Sequence, residues 1–251
     1  MSLLRIRWQQ GHRTVALPEA VASLPSRFRG RPALDPGRCP DGCRSCADAC
    51  PTDAILLGEG PARIDLGRCV FCQDCVEACP EGAIRYTADP RMAARTREDL
   101  RAAEGVRLAT ALDRQMRRLF GRSLKLRHVS AGDCSGCTAE LTALGNVVFD
   151  LARFGVQFVA SPRHADGLVL SGPIPDNMRL AVEKTWKAIP APRLVLAVGA
   201  CAVSGGIFRG HPHVAGGADA LLPVDLYVPG CPPHPLTVAD GLLRLLGRIA
   251  S

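Results

Sequence analysis

Eight of the twelve cysteines in this 251-residue chain fall into two short runs that repeat each other. The first run has the spacing C-x3-C-x2-C-x3-C-P, and the second has C-x2-C-x2-C-x3-C-P. The eight residues are Cys39, Cys43, Cys46 and Cys50 in the first run and Cys69, Cys72, Cys75 and Cys79 in the second. The second spacing is the ligand pattern of a bacterial ferredoxin with two 4Fe–4S clusters. The repeat therefore predicts an α+β ferredoxin-like dicluster domain near the start of the chain.

In such a repeat, three cysteines of one run bind one cluster, and the fourth cysteine, before proline, binds the other. The predicted ligands are Cys39, Cys43, Cys46 and Cys79 for cluster 1 and Cys69, Cys72, Cys75 and Cys50 for cluster 2. The flanks are similar too, because residues 37–38 match residues 67–68 and residues 51–55 resemble residues 80–84. One extra residue lies between Cys39 and Cys43 in the first run.

Zinc is the main alternative for cysteine runs of this kind. Zinc sites usually have two cysteine pairs separated by a longer loop, often with histidine among the ligands. Neither run contains histidine. Disulfides are disfavoured as well, because the opening residues lack the continuous apolar core of a signal peptide, and a reducing compartment favours metal over cystine. Iron–sulfur clusters are therefore the preferred interpretation.

The length suits about two domains, and an apolar share of 47 % is ordinary for a globular core. No apolar stretch approaches the ~20 residues that a membrane helix needs. We therefore expect a soluble or peripheral protein.

Positive charge is concentrated between residues 85 and 127, where twelve arginines and lysines face five acidic residues. Apolar residues recur at three- and four-residue steps over residues 92–120, which predicts a helix. This segment is either a solvated helix or a surface for an anionic partner, lipid head groups or nucleic acid. Aromatic residues for base stacking make up only 4 % of the chain. We favour a linker that docks on a partner subunit, and we expect no nucleic acid.

The hydrophobic pattern of the sequence changes at about residue 122, where short apolar runs begin to alternate with stretches of helical pattern. Strands are predicted at residues 124–129, 156–159, 168–170, 194–198 and 226–228, and helices at 139–151, 177–189 and 236–249. Alternation of this kind predicts an α/β domain with a mostly parallel sheet.

Four cysteines remain, and each lies a few residues beyond a predicted strand: Cys134, Cys137, Cys201 and Cys231. The crevice outside the carboxyl ends of parallel strands is where ligands bind, so we expect these residues to converge. Four thiolates without histidine suit a third 4Fe–4S cluster or a structural zinc, and the neighbouring ferredoxin repeat favours iron–sulfur. All twelve cysteines are then used, in three sets of four.

Four motifs follow one another in this part of the chain: G-D-C-S-G-C-T-A-E at residues 132–140, S-P-R-H-A-D at 161–166, V-G-A-C-A at 198–202 with G-G at 205–206, and V-P-G-C-P-P at 228–233. Together they resemble one family, which comprises the B-type subunit of NADH:quinone oxidoreductase and the small subunit of energy-converting, membrane-bound nickel–iron hydrogenases. The resemblance implies a flavodoxin-like fold, a last cluster held by the four cysteines, and a large-subunit partner with the catalytic centre. The ferredoxin repeat resembles the dicluster subunit of the same complexes, here fused to its neighbour.

The first cysteine pair separates members of this family. Quinone-reducing complexes usually have adjacent cysteines there, whereas hydrogenase-type small subunits have C-x2-C, as do Cys134 and Cys137. Ser135, Ala200 and His234 depart from the commonest hydrogenase pattern and leave the cluster ligands intact.

The resemblance thus predicts an electron-transfer subunit with three 4Fe–4S clusters that serves a nickel–iron site in a partner large subunit. The alternative is the equivalent subunit of a complex-I-like quinone-reducing oxidoreductase, or of a nickel-free relative of the hydrogenases. A third hypothesis, from another class, is a zinc-stabilised module that binds nucleic acid through the basic segment.

These interpretations divide the chain into an N-terminal extension (residues 1–29), the ferredoxin domain (30–88), the basic helical linker (89–121) and the small-subunit domain (122–251). The resemblance implies further partners, namely membrane subunits of the same complex and an electron donor such as ferredoxin or formate dehydrogenase. We expect a cytoplasmic protein that is peripheral on the inner face of the cell membrane through its partner subunits.

Several other polar residues are weaker candidates. Glu140 lies in the first turn of a predicted helix and is either a helix-dipole partner or a proton-coupling carboxylate near the cluster. Arg163 and His164 are interpreted as an interface loop, His211 and His213 as a surface turn, and Asp53 and Glu81 as turn residues. No nucleotide-binding fingerprint is present in the sequence, and no catalytic residue is expected in this chain.

Overall fold

The computed structural model describes residues 2–17, 24–25, 27–40, 42–58, 60–101 and 105–249. The first element is helix α1 (Leu3–Gln10), none of whose side chains is buried. Parts of the predicted N-terminal extension, at residues 1, 18–23 and 26, lie outside the described residues.

The ferredoxin region consists of two small antiparallel sheets and two short helices. Its elements are β1 (Pro32–Leu34), α2 (Ser45–Asp48), β2 (Ile55–Gly58), β3 (Gly60–Ile64), α3 (Asp74–Glu77) and β4 (Ile84–Tyr86). Strand β1 pairs with β4, and β2 pairs with β3. Ile55 and Ile84, which occupy equivalent positions in the repeat, are buried together with Cys46 and Cys75. The sequence repeat is therefore also a structural repeat around one small core.

The long helix expected over residues 92–120 was a wrong prediction. In the described residues of this segment, 92–101 and 105–120, helical structure is limited to a 3-10 turn (Asp99–Arg101) and to α4 (Arg114–Phe120). The apolar residues serve two different cores, because Leu100 packs on one face of the large sheet and Leu112 on the other. Ala94 exchanges two backbone hydrogen bonds with Tyr227, at 3.0 and 2.9 Å. A straight helix could not reach both cores, so the chain runs irregularly between them.

The second region contains the predicted parallel sheet, whose strand order is β6-β5-β7-β8-β9. The strands are β5 (Leu124–Ser130), β6 (Val156–Phe158), β7 (Gly167–Ser171), β8 (Leu194–Val198) and β9 (Leu226–Val228). Every pairing is parallel. The predicted fold class is confirmed, and each strand lies within one residue of its predicted bounds.

Helices cover both faces of this sheet: α5 (Gly136–Ala143), α6 (Asp176–Ala188), α7 (Ala200–Ser204) and α8 (Pro235–Leu245). Side chains alternate along β7, where Leu168 and Leu170 join the core that contains Val182 of α6, and Val169 joins the core that contains Val238 of α8. Burial on both faces explains why these strands read as continuous apolar runs.

Two helices end earlier than the sequence predicts. The helix expected at 139–151 stops at Ala143, because the Asn146 side chain accepts hydrogen bonds from the backbone N–H groups of Val148 and Phe149 and forms a turn. Helix α8 stops at Leu245, where the N–H groups of Gly247 and Arg248 bond back to the carbonyls of Arg244 and Leu243. Among the described helices, none has the length and apolar character to cross a membrane.

Candidate iron–sulfur sites

Four cysteines converge at the carboxyl edge of the parallel sheet, and we call Cys134, Cys137, Cys201 and Cys231 site 3. Cys134 and Cys137 follow β5, Cys201 is the second residue of α7 after β8, and Cys231 follows β9. The carboxyl ends of parallel strands meet at one edge, so loops distant in sequence become neighbours. The structure brings the four thiols within electrostatic reach of one another.

The thiols of site 3 oppose one another's ionisation. Burial, the Cys201 thiol and the Asp133 carboxylate raise the pKa of Cys137 to about 12. Burial and the thiols of Cys231 and Cys134 raise the pKa of Cys201 to about 11. Four thiolates at this place therefore require a cationic group to balance their charge. An iron–sulfur core is such a group, and the donor set fits it.

Glycines let the backbone pass directly beside these sulfurs. A Cβ atom built on Gly199 would lie 2.5 Å from the Cys137 sulfur, and one built on Gly206 would lie 2.9 Å from the Cys201 sulfur. Both glycines have positive φ angles, +88° and +55°. Only glycine combines this conformation with so close an approach, so the loops around site 3 are shaped to the sulfur atoms.

Asp133 organises the loop that carries the first two cysteines of site 3, and our sequence reasoning missed it. Its carboxylate accepts hydrogen bonds from the Ser130 and Thr138 hydroxyls, both at 2.7 Å, from the Ser171 hydroxyl at 2.6 Å, and from the Ser135 N–H at 3.1 Å. Burial alone would raise the pKa of Asp133, but these hydrogen bonds hold it at about 2. The available signal was an Asp followed two residues later by Ser in a glycine-rich loop, a turn pattern.

In the ferredoxin region, we call Cys39, Cys43, Cys46 and Cys79 site 1. Burial and the thiols of Cys79, Cys39 and Cys43 raise the pKa of Cys46. Cys79 comes from the second run, so the structure brings together the crossed set that the sequence predicts. The Ala83 N–H donates a hydrogen bond of 3.2 Å to the Cys79 sulfur.

We call the other crossed set, Cys50, Cys69, Cys72 and Cys75, site 2. Burial is the main cause that raises the pKa of Cys69 to about 12 and that of Cys75 to about 11, and the Cys50 thiol raises both. All four residues line one cavity. Cys75 also interacts with Cys46 of site 1, so the two sites are neighbours.

No three His, Cys, Asp or Glu side chains in the described part of the chain are arranged to hold one metal ion. A 4Fe–4S cluster is a larger group, which takes one thiolate on each of its four irons. The three sites are thus alike because four thiols converge at each of them, and not because their side chains are arranged around a single metal ion.

A pocket lies between site 2 and site 3. Its lining includes Phe71, which is next to Cys72, and Cys231 of site 3. The Arg29 guanidinium donates hydrogen bonds to the carbonyls of Phe71 at 2.8 Å and Cys72 at 3.1 Å. Glu140 lines the same pocket, and burial raises the pKa of its carboxyl. The structure thus places Glu140 between the two regions.

The two regions are also joined by polar contacts near α7. The Ser204 hydroxyl donates a buried hydrogen bond of 2.7 Å to the Gly67 carbonyl, close to site 2. Arg209 forms an ion pair of 2.5 Å with Asp53. Asp53, which the sequence suggests only as a turn residue, therefore also links the ferredoxin region to the second region.

The remaining candidates lie on the surface. Arg163 and His164 are exposed in a 3-10 turn (Pro162–His164) before β7, and Glu81 is exposed as well. The rings of His211 and His213 are 5.6 Å apart, and His213 pairs with Asp176 at 2.9 Å. The surface turn expected for the two histidines agrees with their exposure.

Comparisons with known proteins place both regions in recognised groups. A family model described as "NADH ubiquinone oxidoreductase, 20 Kd subunit" matches residues 134–245. A second model, described as a 4Fe-4S dicluster domain, matches residues 38–83. The first match begins at Cys134 and spans all four cysteines of site 3, and the second spans those of sites 1 and 2.

Curated relatives include subunits of hydrogenase-type complexes and of NADH-quinone oxidoreductases. The chain is 38 % identical over 136 residues to the probable membrane-bound hydrogenase subunit mbhJ of Pyrococcus furiosus, which covers 54 % of this chain and 81 % of that protein. It is 41 % identical to formate hydrogenlyase subunit 7 of Escherichia coli, with 51 % of this chain and 50 % of that protein covered. It is 46 % identical to the B-type NADH-quinone oxidoreductase subunit of Clostridium beijerinckii, with 45 % and 68 % covered.

Proposed function

Because the chain belongs to the family of the 20 kDa subunit of NADH:ubiquinone oxidoreductase, we propose that it relays electrons through three 4Fe–4S clusters. Its relatives are subunits of hydrogenases and of NADH-quinone oxidoreductases. It is accordingly an electron-transfer subunit of an oxidoreductase complex of the hydrogenase or complex-I-like kind. The number of clusters, their ligands and the terminal acceptor are the parts that we propose.

The grouping of the thiols carries this proposal. Each of sites 1, 2 and 3 contains four cysteines, and in each site burial and neighbouring thiols raise the pKa of at least one of them: Cys46 in site 1, Cys75 in site 2 and Cys137 in site 3. Cluster 1 would be held at site 1, cluster 2 at site 2 and cluster 3 at site 3. The three sets use all twelve cysteines of the sequence.

When bound, the clusters would supply one-electron transfer without bond chemistry. The chain's own residues would hold and insulate them. Backbone N–H groups of Ala54 and Ala83 donate to the Cys50 and Cys79 sulfurs at 3.2 Å, and Gly199 leaves room beside Cys137. In this scheme the ferredoxin domain (residues 30–88) exchanges electrons with the small-subunit domain (122–251) across the pocket lined by Phe71 and Cys231. Glu140 would couple proton movement to that exchange.

We propose a nickel–iron site in a partner large subunit as the terminus. The C-x2-C spacing of Cys134 and Cys137 favours this choice, and two of the relatives named above are hydrogenase or hydrogenlyase subunits. Further partners would be membrane subunits that hold the chain at the membrane, and a donor such as ferredoxin or formate dehydrogenase. The NADH-quinone oxidoreductase relative from Clostridium beijerinckii supports the alternative, a quinone-reducing or nickel-free complex.

Metal analysis of protein purified without oxygen tests the cluster count. Three clusters predict about twelve irons and twelve sulfides per chain. Cys231→Ala should lose about four of each and loosen the second region, because cluster binding contributes to folding, while the ferredoxin clusters remain. A colourless wild-type protein that contains zinc would overturn the proposal, and a Cys231→Ala protein with all its iron would refute the ligand set of site 3.

The large subunit that co-purifies with the chain tests the terminus. A partner with two C-x2-C pairs and about one nickel per complex supports the hydrogenase assignment. A partner without those pairs and without nickel would contradict it and leave the alternative.

A further inference from the structure

Helix α1 exposes its large apolar side chains. Leu3, Leu4 and Trp8 are 84 %, 83 % and 89 % exposed, the highest fractions among the large apolar residues in the described part of the chain. Leu4 and Trp8 are four residues apart and therefore lie on one face of the helix, with Leu3 beside Leu4. Single exposed apolar residues are ordinary on a protein surface, whereas neighbouring ones mark a surface that something covers.

The segment after α1, and not α1 itself, is fixed to the rest of the molecule. Among the described residues, the hydrogen bonds of α1 stay within residues 2–12. After the helix, the Thr14 hydroxyl donates to the Val147 carbonyl and the Val15 N–H donates to the Val148 carbonyl, both at 2.8 Å. The second region therefore holds residues 14 and 15 in place, and α1 lies before this attachment.

The length of α1 is a further reason to expect a covering surface. The helix has eight residues, and isolated helices shorter than about 12–15 residues are marginal in water. Such helices depend on the packing of an apolar face. No side chain of α1 is buried, so the described part of the chain does not provide that packing. A surface outside the chain would stabilise the helix by covering Leu3, Leu4 and Trp8.

The charge of this segment indicates the kind of surface. Residues 1–17 contain Arg5, Arg7 and Arg13 and no acidic residue. Tryptophan is enriched at the boundary between lipid head groups and acyl chains. An arginine side chain can lay its apolar stem along such a surface while its guanidinium reaches the phosphates. Apolar side chains and positive charge on one helix together favour an anionic lipid surface.

We propose that α1 binds directly to the surface of a bilayer that contains anionic lipids, with its apolar side chains at the level of the head groups and its arginines at the phosphates. One short helix gives weak and reversible binding. This contact goes beyond the function proposed above, in which partner subunits hold the chain at the membrane. Neither family match includes α1, since the two cover residues 38–83 and 134–245. The contact needs no cluster, so its failure would leave the electron relay untouched.

Co-sedimentation of the full chain with lipid vesicles tests this inference. We expect binding to vesicles of phosphatidylcholine mixed with phosphatidylglycerol, weaker binding to phosphatidylcholine alone, and a loss of binding as salt is added. Arg5→Gln should lower the partition coefficient about fivefold, and Trp8→Ala should lower it about tenfold. Both side chains are exposed, so neither change disturbs the folded core.

Two substitutions elsewhere on the surface are matched controls. Leu180→Ala removes a leucine of α6 that is 60 % exposed, and Arg118→Gln removes an exposed arginine of α4. Both variants should bind vesicles like the wild type, whereas Leu4→Ala should bind less. Equal losses in Arg5→Gln and Arg118→Gln would show that general positive charge drives binding, and would overturn the proposal. A wild type that does not bind anionic vesicles would also overturn it and would point to a protein partner for α1.

Tryptophan fluorescence reports on α1 itself, because the chain contains two tryptophans. The second, Trp186, lies in α6 with the Arg193 guanidinium 3.8 Å from the centre of its ring. Transfer of Trp8 from water to the head-group region should shift the emission of the wild type to shorter wavelength. The emission of Trp8→Phe, which retains only Trp186, should not change on addition of anionic vesicles. An equal shift in the two proteins, or no shift in the wild type, would contradict insertion of Trp8.

Discussion

Around site 3, the lack of a side chain at Gly199 lets the backbone come close to the Cys137 sulfur. Gly199 lies between β8 and α7, at φ +88°, and faces the Cys137 sulfur. A larger residue would meet both a conformational and a steric penalty there. Gly210 has nearly the same φ, +84°, but apart from its chain neighbours no atom of the described residues lies within 4 Å of the place where a Cβ would stand. Alanine substitutions at Gly199 and Gly210 therefore distinguish the effect of backbone strain from the effect of crowding at site 3.

Gly199→Ala should lower the iron content of the protein by about one cluster of the three. The new Cβ would lie 2.5 Å from the Cys137 sulfur, so either the sulfur or the loop must move away. Gly210→Ala meets only the left-handed backbone penalty of about 1–2 kcal/mol and should retain its full iron content. Iron and sulfide analysis of both variants checks the expectation. Equal iron in the two variants would show that the close approach at Gly199 is unimportant.

At the scale of elements, α8 begins beside site 3, and its first turn depends on one histidine. The His234 Nδ1 atom accepts a hydrogen bond from the Leu236 N–H at 3.2 Å and so caps the helix. The ring packs edge-on against Phe28 and Phe149, with centroids 5.2 and 5.8 Å away. Burial lowers the pKa of His234, and the cap requires the neutral ring.

This histidine should make stability depend on pH near neutrality. Its folded pKa lies below the unfolded value of about 6.5, so the unfolded state binds more protons, and stability falls as pH drops through this range. His234→Asn keeps a good N-cap but removes the titration. We expect the thermal midpoint of the wild type to fall more between about pH 7.5 and about pH 5.5 than that of the variant. Parallel pH profiles for the two proteins would contradict this account.

At the scale of the whole molecule, residues 89–101 and 105–121 join the two regions as part of their shared core. Met92 and Leu100 pack in the core on one side of the sheet, and Leu112 packs on the other side. Asp65 of the ferredoxin region is fully buried and forms ion pairs with two residues of this segment, Arg97 at 3.4 Å and Arg101 at 2.8 Å. The segment thus fixes the ferredoxin region against the sheet.

Asp65→Asn should destabilise the protein by about 3–5 kcal/mol, because it leaves the Arg97 guanidinium, which is 11 % exposed, without its charged partner. Arg179→Gln breaks the exposed Asp176–Arg179 pair and should cost less than about 1 kcal/mol. Urea unfolding of both variants, loaded with clusters and kept free of oxygen, measures the difference. Similar losses in the two variants would mean that the buried charge cluster does not hold the regions together.

Short-range patterns made much of this protein predictable. Apolar runs predicted the bounds of the strands in the parallel sheet to within one residue. A strand that is buried on both faces has apolar residues at successive positions, so its sequence is a continuous apolar run. The cysteine spacing predicted the crossed sets of sites 1 and 2, and the structure brings Cys79 near Cys46 and Cys50 near Cys75. The helix expected over residues 92–120 failed because its apolar residues divide between two cores, a division that periodicity does not record.

The amino-acid sequence alone determined the fold class and the family and predicted how the cysteines group, because these depend on residue type and spacing along the chain. Only the tertiary structure decided the surroundings of the sulfurs: the Asp133 hydrogen bonds under the loop of site 3, Gly199 against Cys137, and the buried hydrogen bond from Ser204 to Gly67 close to site 2. Those contacts join residues from different strands and loops. Their distances follow from how the sheets and helices pack, and no local pattern in the chain carries that information.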